Sequence, residues 1–188
     1  MKTKYKLFIS ILIVLIFSMN LSLNSQTHHL KLLSTTNDKW CEHYYKEYKI
    51  DRFVDPVTQK PLTLEKIKNL GMAVAKWESN FDHKHILWEP TVNGNAYGTY
   101  SLLSPTARSM GWEGKNPKEL LNPETNAKYA LKYLFIKLEK YEANILHTLA
   151  AYNGGSLRMD NEGVIRNINY VENVYPMYVD LNLYNRQK

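Results

Sequence analysis

From Leu62 onward, apolar side chains return every three or four positions in one segment after another, with turn residues between the segments. No long run alternates with the period of two that marks a half-buried strand. Thr63 is placed to cap a helix running to about Asn80, and Glu65 in its first turn suits the positive end of the helix dipole. Ser104 and Pro105 form a cap and first-turn pair for a short helix through Met110, and Asn122 and Pro123 repeat the device for a longer one. In that longer helix Ala127, Ala130, Leu131, Leu134, Leu138 and Tyr141 keep to one face. A further helix from Ile145 to Tyr152 ends at Gly154 and Gly155, and a last one starts near Tyr170. Upstream, Tyr44, Tyr45 and Tyr48 stand at helical spacing, and Pro56 and Pro61 bracket a loop. The pattern predicts an all-α domain over 62–188, an N-terminal extension over 26–61 and an irregular loop insert at 81–103. No internal repeat interrupts it.

The start of the chain reads as an address. Lys2, Lys4 and Lys6 precede an apolar run over 7–17 broken only by Ser10, and a more polar stretch follows over 18–25. That order is the pattern of a secretory signal over 1–25, with the best cut after Ser25. The apolar stretch over 7–19 falls short of the ~20 residues a spanning helix needs. Leu21 and Leu23 can extend it, so an anchor retained over 7–23 is the alternative. Either way the expected destination is the periplasm or cell envelope. The formal net charge of +6 shrinks in this light, because half of it sits on those three lysines. The mild excess left over contains no polybasic block. It does not indicate a nucleic-acid partner and fits an anionic polymer such as a cell wall equally well.

At 188 residues, 44% hydrophobic and 22% charged, the chain has the balance of one globular domain. The lone Cys41 excludes an intrachain disulfide framework and a Cys-rich zinc finger, and Asp38, Lys39 and Trp40 before it are not the lead-in of a lipid-attachment site. Tyrosine is over-used, with 14 copies against 5 Phe and 4 Trp, and its flat apolar ring with a polar tip suits a wet, sugar-like surface.

One carboxylate breaks the helical pattern. In the helix from Leu64 the apolar stripe is Ile67, Leu70, Gly71, Val74, Trp77 and Phe81, and Glu78 falls within it, four after Val74 and seven after Gly71. An acid pressed against apolar surface is desolvated, which raises its pKa and lets it hold a proton near neutrality for delivery to a leaving oxygen. The alternative is a helix that ends early and lets Glu78 reach water.

Five segments around that residue carry a pattern. Trp77-Glu78-Ser79-Asn80-Phe81 resembles the "ESxF" segment of the soluble lytic transglycosylase family, in the goose-type lysozyme-like superfamily. Ala96-Tyr97-Gly98-Thr99-Tyr100-Ser101 is similar to the family's "A-x-G-L-M-Q", and Thr106-Ala107-Arg108 echoes its "P-x-T-A-R", with Pro105 one place late. Asn122 to Asn126 resembles the "dPexN" entry to a long helix, and Ala150 to Ser156 resembles "AAYNAGS". Tyr170, Val171 and Val174 resemble the closing "Y-V-x-x-V", and the whole likeness runs over roughly 71–175.

The resemblance implies a lysozyme-like helical fold that cuts the glycan strands of peptidoglycan without a cofactor. Glu78 would fall on the family's catalytic acid/base, which protonates the bridging oxygen and then deprotonates the muramic acid C6 hydroxyl, closing a 1,6-anhydro ring. Ser79 would support it by hydrogen bonding. Tyr152 and Asn153 would line the cleft, Tyr170 would stand near the glutamate and the substrate's N-acetyl group, and Gly98 would let backbone pass close to the sugar. Thr99-Tyr100-Ser101 replaces the family's Leu-Met-Gln, so Tyr100 would add a stacking ring and Ser101 would reach less far than the usual glutamine. Taken singly, Tyr152 and Tyr170 read as packing residues, Gly98 as a turn glycine and Asn153 as a helix-end residue.

Other polar groups stay in the background. Asp82, His83 and His85 lie close in sequence but lack a further ligand, so no metal is expected. Glu89, Asp82, Asp160 and Glu162 could each hold a water for hydrolysis, which leaves a muramidase open. A non-catalytic wall-binding module also stays open, as does an envelope-spanning assembly as partner.

Overall fold

The structure is a computed structural model that describes residues 27, 30–56 and 58–184. The stretch read as a secretory signal lies outside the described residues. The chain divides into two compact units, 1–35 and 36–188, and the second carries the elements that matter here. Helix α1 covers 30–47, and its part within the second unit buries Cys41 and Tyr44. Asn37 there donates from Nδ2 to the Lys68 carbonyl at 3.1 Å, and the Tyr44 ring meets Phe135 at 5.7 Å between centroids. Burial also holds the Cys41 thiol far above its ordinary pKa, which leaves it an inert core residue. A two-stranded antiparallel ribbon follows, β1 (Val54–Asp55) with β2 (Lys60–Pro61).

Helix α2 (Leu64–Ser79) begins where Thr63 accepts from the Lys66 N–H at 3.4 Å. Its face Ile67, Leu70, Gly71, Ala73, Val74 and Ala75 is buried. Trp77, predicted in the same stripe, is 42% exposed. The register is as expected, but full burial along α2 stops at Ala75: in the last turn Lys76 and Trp77 are exposed and Glu78 and Ser79 are half-buried. Asn80 and Phe81 then take left-handed φ of 52° and 69°, which ends the helix at Ser79, one residue after Glu78.

The segment 81–103, predicted as irregular, holds most of the remaining strand. β3 (Ile86–Glu89), β4 (Gly94–Tyr97) and β5 (Leu102–Leu103) form an antiparallel sheet in that order, with Leu87 opposite Ala96 and Ala96 opposite Leu103. Strands of two to four residues are too short to show a period, and in β3 Ile86, Leu87 and Trp88 are all exposed, so no alternation exists to read.

The helical class itself holds. α3 (Ser104–Ser109) leads by way of a short 3-10 turn to α4 (Pro123–Lys140), capped by Asn122 on the Thr125 N–H at 3.0 Å. The predicted stripe of α4 is the core, with Ala127, Ala130, Leu131, Leu134 and Leu138 fully buried, except that Tyr141 falls one past the end of the helix and is half-buried. Each such leucine contributes on the order of 2 kcal/mol of burial. α5 (Ile145–Gly154) packs on α4, and α6 (Ile168–Tyr184) packs on both α5 and α2. That arrangement brings the end of α2 against the start of α6, where Tyr170 meets Glu78. Among the described residues no helix is long and apolar enough to cross a membrane.

Candidate active site

The last turn of α2, the β4–β5 turn and the C-terminal end of α5 surround a cleft of about 680 Å³. Glu78, Glu89, Ser101, Tyr152, Asn153 and Arg158 are among the residues that line it. The turn over 98–101 is the part the sequence describes least well. Gly98 has φ of 73° and Ser101 φ of 46°, and the Ser101 N–H returns to the Gly98 carbonyl at 3.0 Å. Asn126 of α4 clamps this turn from behind: its Nδ2 donates to the Tyr97 carbonyl at 2.7 Å and its Oδ1 accepts the Tyr100 N–H at 2.9 Å.

Two side chains of the site then bind the same turn, and one of the turn's own reaches back. Ser79 donates to the Thr99 carbonyl at 2.8 Å, and Tyr152 donates to the Tyr100 carbonyl at 3.1 Å. Ser101 donates to the backbone carbonyl of Glu78 at 3.0 Å. The turn and the end of α2 are thus stitched together in both directions, which fixes where the Glu78 side chain starts.

The carboxyl of Glu78 is itself held by Tyr170 of α6, whose hydroxyl donates to Oε1 at 2.8 Å. Burial pushes this carboxyl up from an ordinary 4.5 to about 7. The Tyr170 hydroxyl opposes the shift by favouring the charged form, and so does the Ser101 hydroxyl when its proton turns from the carbonyl to the carboxylate. The negative charge of Glu89 adds to it. The group can therefore carry a proton near neutral pH and, once it has given the proton up, find a hydrogen bond for the resulting charge.

Of the residues singled out in the sequence, Glu78, Ser101, Tyr152 and Asn153 meet at the cleft, Ser79 braces the turn, and Tyr170 stands behind the carboxyl. Asn153 accepts from Asn167 Nδ2 at 2.9 Å. Two expectations fail. Tyr100 is no stacking platform, because it is 1% exposed and its hydroxyl donates to Asn37 Oδ1 at 2.9 Å inside the core. Gly98 does not lie against open cleft either: an added Cβ would meet the Leu120 carbonyl at 2.6 Å and Asn126 Nδ2 at 2.7 Å. Its lack of a side chain serves the packing of the turn on α4 and the segment before it.

Some lining residues escaped the sequence reading. Tyr133, Arg158, Thr91 and Val92 belong to no motif and reach the cleft only through the fold. Glu89 was one of four equivalent acids in the sequence, and the β3 register alone separates it from Asp82, Asp160 and Glu162, which do not line the cleft. Among the described residues no group of three or more His, Cys, Asp or Glu is arranged to hold a metal.

A family model for the transglycosylase SLT domain matches residues 57–168 of this chain, more than half of it. The chain is also similar to the crystal structure of the 70 kDa soluble lytic transglycosylase from Escherichia coli, at 24% identity and a TM-score of 0.40. That match covers 61% of this chain and 16% of the other, so the chain spans a small part of that protein's length.

Proposed function

This chain belongs to the transglycosylase SLT domain family, and from that premise we propose that it is a peptidoglycan lytic transglycosylase. It cuts the β-1,4 bond between N-acetylmuramic acid and N-acetylglucosamine and closes a 1,6-anhydro ring. The observation that carries the reading is the Glu78 carboxyl, buried at the wall of the cleft, hydrogen-bonded by Tyr170 at 2.8 Å and held up to about 7. Glu78 donates its proton to the bridging oxygen as the bond to C1 breaks, so the departing sugar leaves as an alcohol. Tyr170 holds the carboxylate that results. The same carboxylate then accepts the proton of the muramic acid C6 hydroxyl as O6 bonds to C1. Glu78 ends protonated, as it began, and no water is consumed. The lysine-led apolar start of the chain supports export to where such glycan lies.

A second reading has one observation in its favour. Glu89 lines the same cleft, and its charge acts on Glu78. An acid so placed can hold a water against C1 and turn the reaction into hydrolysis.

The products decide. The purified protein is incubated with isolated sacculi, and the released muropeptides are weighed and treated with borohydride. Anhydro products, one water lighter and resistant to reduction, are expected from the wild type, with none from Glu78→Gln. Reducible products would assign the water-using reaction and Glu89. No release with binding intact would leave a non-catalytic wall-binding module.

A further inference from the structure

Among the described residues that line the cleft Arg158 is the one cation, and it is exposed there. Of the other described arginines, Arg52 pairs with Glu139 at 2.9 Å, Arg108 donates to the Gly114 carbonyl at 3.1 Å while lying over Trp112, and Arg166, whose side chain is also unpaired within the described residues, does not line the cleft. Arg158 has no ion pair and no side-chain hydrogen bond within the described residues, although Glu78 and Glu89 line the same cleft. Its backbone, by contrast, is tightly held. The Arg158 carbonyl accepts the Arg166 N–H at 3.0 Å, and Met159 bridges Ile165 next to it. Asp160 Oδ1 closes the loop beyond by accepting the N–H groups of Glu162 and Val164, each at 2.9 Å. On the other side Leu157 donates to the Tyr141 hydroxyl at 2.9 Å, and Lys137 Nζ reaches the Gly155 carbonyl at 2.6 Å. A fixed backbone thus presents an unpaired guanidinium at the rim of an otherwise acidic or neutral cleft.

We infer that Arg158 binds a carboxylate of the peptide stem on the glycan, and so makes the protein favour stem-bearing strands over bare ones. This rests on the reading of the cleft as a peptidoglycan site. The chemistry is specific in that setting. The lactyl carboxyl of muramic acid is tied up as an amide where a stem is attached, so the free carboxylates of the strand are on the peptide. A planar guanidinium with an unused fork of donors matches a carboxylate with two hydrogen bonds, which lysine does not reproduce.

The test separates binding from cleavage. Full-length Glu78→Gln protein, with and without Arg158→Gln, is titrated with three solubilised glycans. One bears stems with free carboxylates, one bears stems whose carboxylates are blocked as amides, and one has been stripped by an amidase, which frees the lactyl carboxylate. Arg158→Gln should weaken binding to the first roughly tenfold, as expected for loss of a charge-assisted pair, and leave the second unchanged. Arg158→Lys should recover only part of the loss. An equal loss on free and blocked stems, no loss on free stems, or no binding to any of the three would overturn the inference. So would a full effect on the stripped glycan, which would assign Arg158 to the lactyl group. Wild-type turnover of sacculi is followed alongside. If turnover is absent while the Arg158 dependence of binding persists, the enzymatic reading falls and the stem contact stands. If turnover is present but binding ignores Arg158, the reverse holds.

Discussion

Replacing Glu78 by Gln should make the protein more stable, by an amount that grows as pH rises above about 4.5 and levels off above about 7. The side chain keeps its size and an oxygen for the Tyr170 hydroxyl, so the change removes little but the capacity to ionise. In the folded state the carboxyl holds its proton up to about 7, against an ordinary 4.5. A carboxyl raised in this way lends stability that is fully present below the unfolded value and is lost as pH rises through the folded one. Below about pH 4 both states carry the proton, and the wild type and variant should differ little in how they respond to pH. Between the two values the unfolded chain releases the proton first, so the folded state loses ground with each step in pH. Above about pH 8 both states are ionised and the full cost of a buried charge is present. At about 1.4 kcal/mol for each tenfold change in acid dissociation, the displacement from 4.5 to about 7 comes to about 3.5 kcal/mol. For a domain of this size that is on the order of 7–14 °C in Tm. Thermal and urea melts of both proteins at about pH 4, 6 and 8.5 measure it, and circular dichroism checks that the fold is kept. A gain that is the same at every pH, or absent at 8.5, would refute the claim that this carboxyl is desolvated, whatever the activity of the variant.

Tyr170→Phe removes a hydrogen bond to a group that becomes charged, worth about 1.5–3 kcal/mol. Because that bond favours the ionised form, the alkaline limb of the pH–rate profile should move up by about one pH unit or more, with kcat reduced. Tyr100→Phe should cost about 1–2 kcal/mol in urea unfolding, through the buried Asn37 left with less than its full set of partners. Its glycan affinity should be unchanged, which equilibrium binding in the Glu78→Gln background checks.

Much of the fold was legible because its signals are local. Thr63 and Asn122 cap the helices they were expected to cap, and the α4 stripe is the core. Glu78 was legible too, since its place in the α2 register is a matter of spacing within one helix. What could not be read depends on contacts far apart in sequence. Trp77 occupies a core register but lies past the point where full burial on α2 stops. The three short strands show no period because β3 is apolar and exposed at three successive positions. Arg158 and Tyr133 reach the cleft only because α4 and α5 pack together, and no motif around either residue announces it.

The segment Thr99-Tyr100-Ser101 shows how such a departure from the family pattern fits the site. Ser79 and Tyr152 bind the carbonyls of residues 99 and 100, and Asn126 binds the carbonyl of 97 and the N–H of 100. None of these four bonds uses a side chain of the turn. The turn's shape is therefore set by backbone groups, and its side chains are free to differ as long as they suit what lies beneath them. Tyr100 does so by filling the core down to Asn37 on α1, where a shorter residue would leave a void. Ser101 does so at the cleft, where its short hydroxyl reaches the Glu78 carbonyl directly at 3.0 Å. A glutamine there would extend past that carbonyl into the cleft. The exchange thus trades reach toward a ligand for a tie to the backbone of the acid itself. On this argument Ser101→Ala should loosen the end of α2, and because the Ser101 hydroxyl favours the charged form of Glu78, its loss should also move the alkaline limb of the pH–rate profile up, while Ser101→Gln should alter glycan affinity.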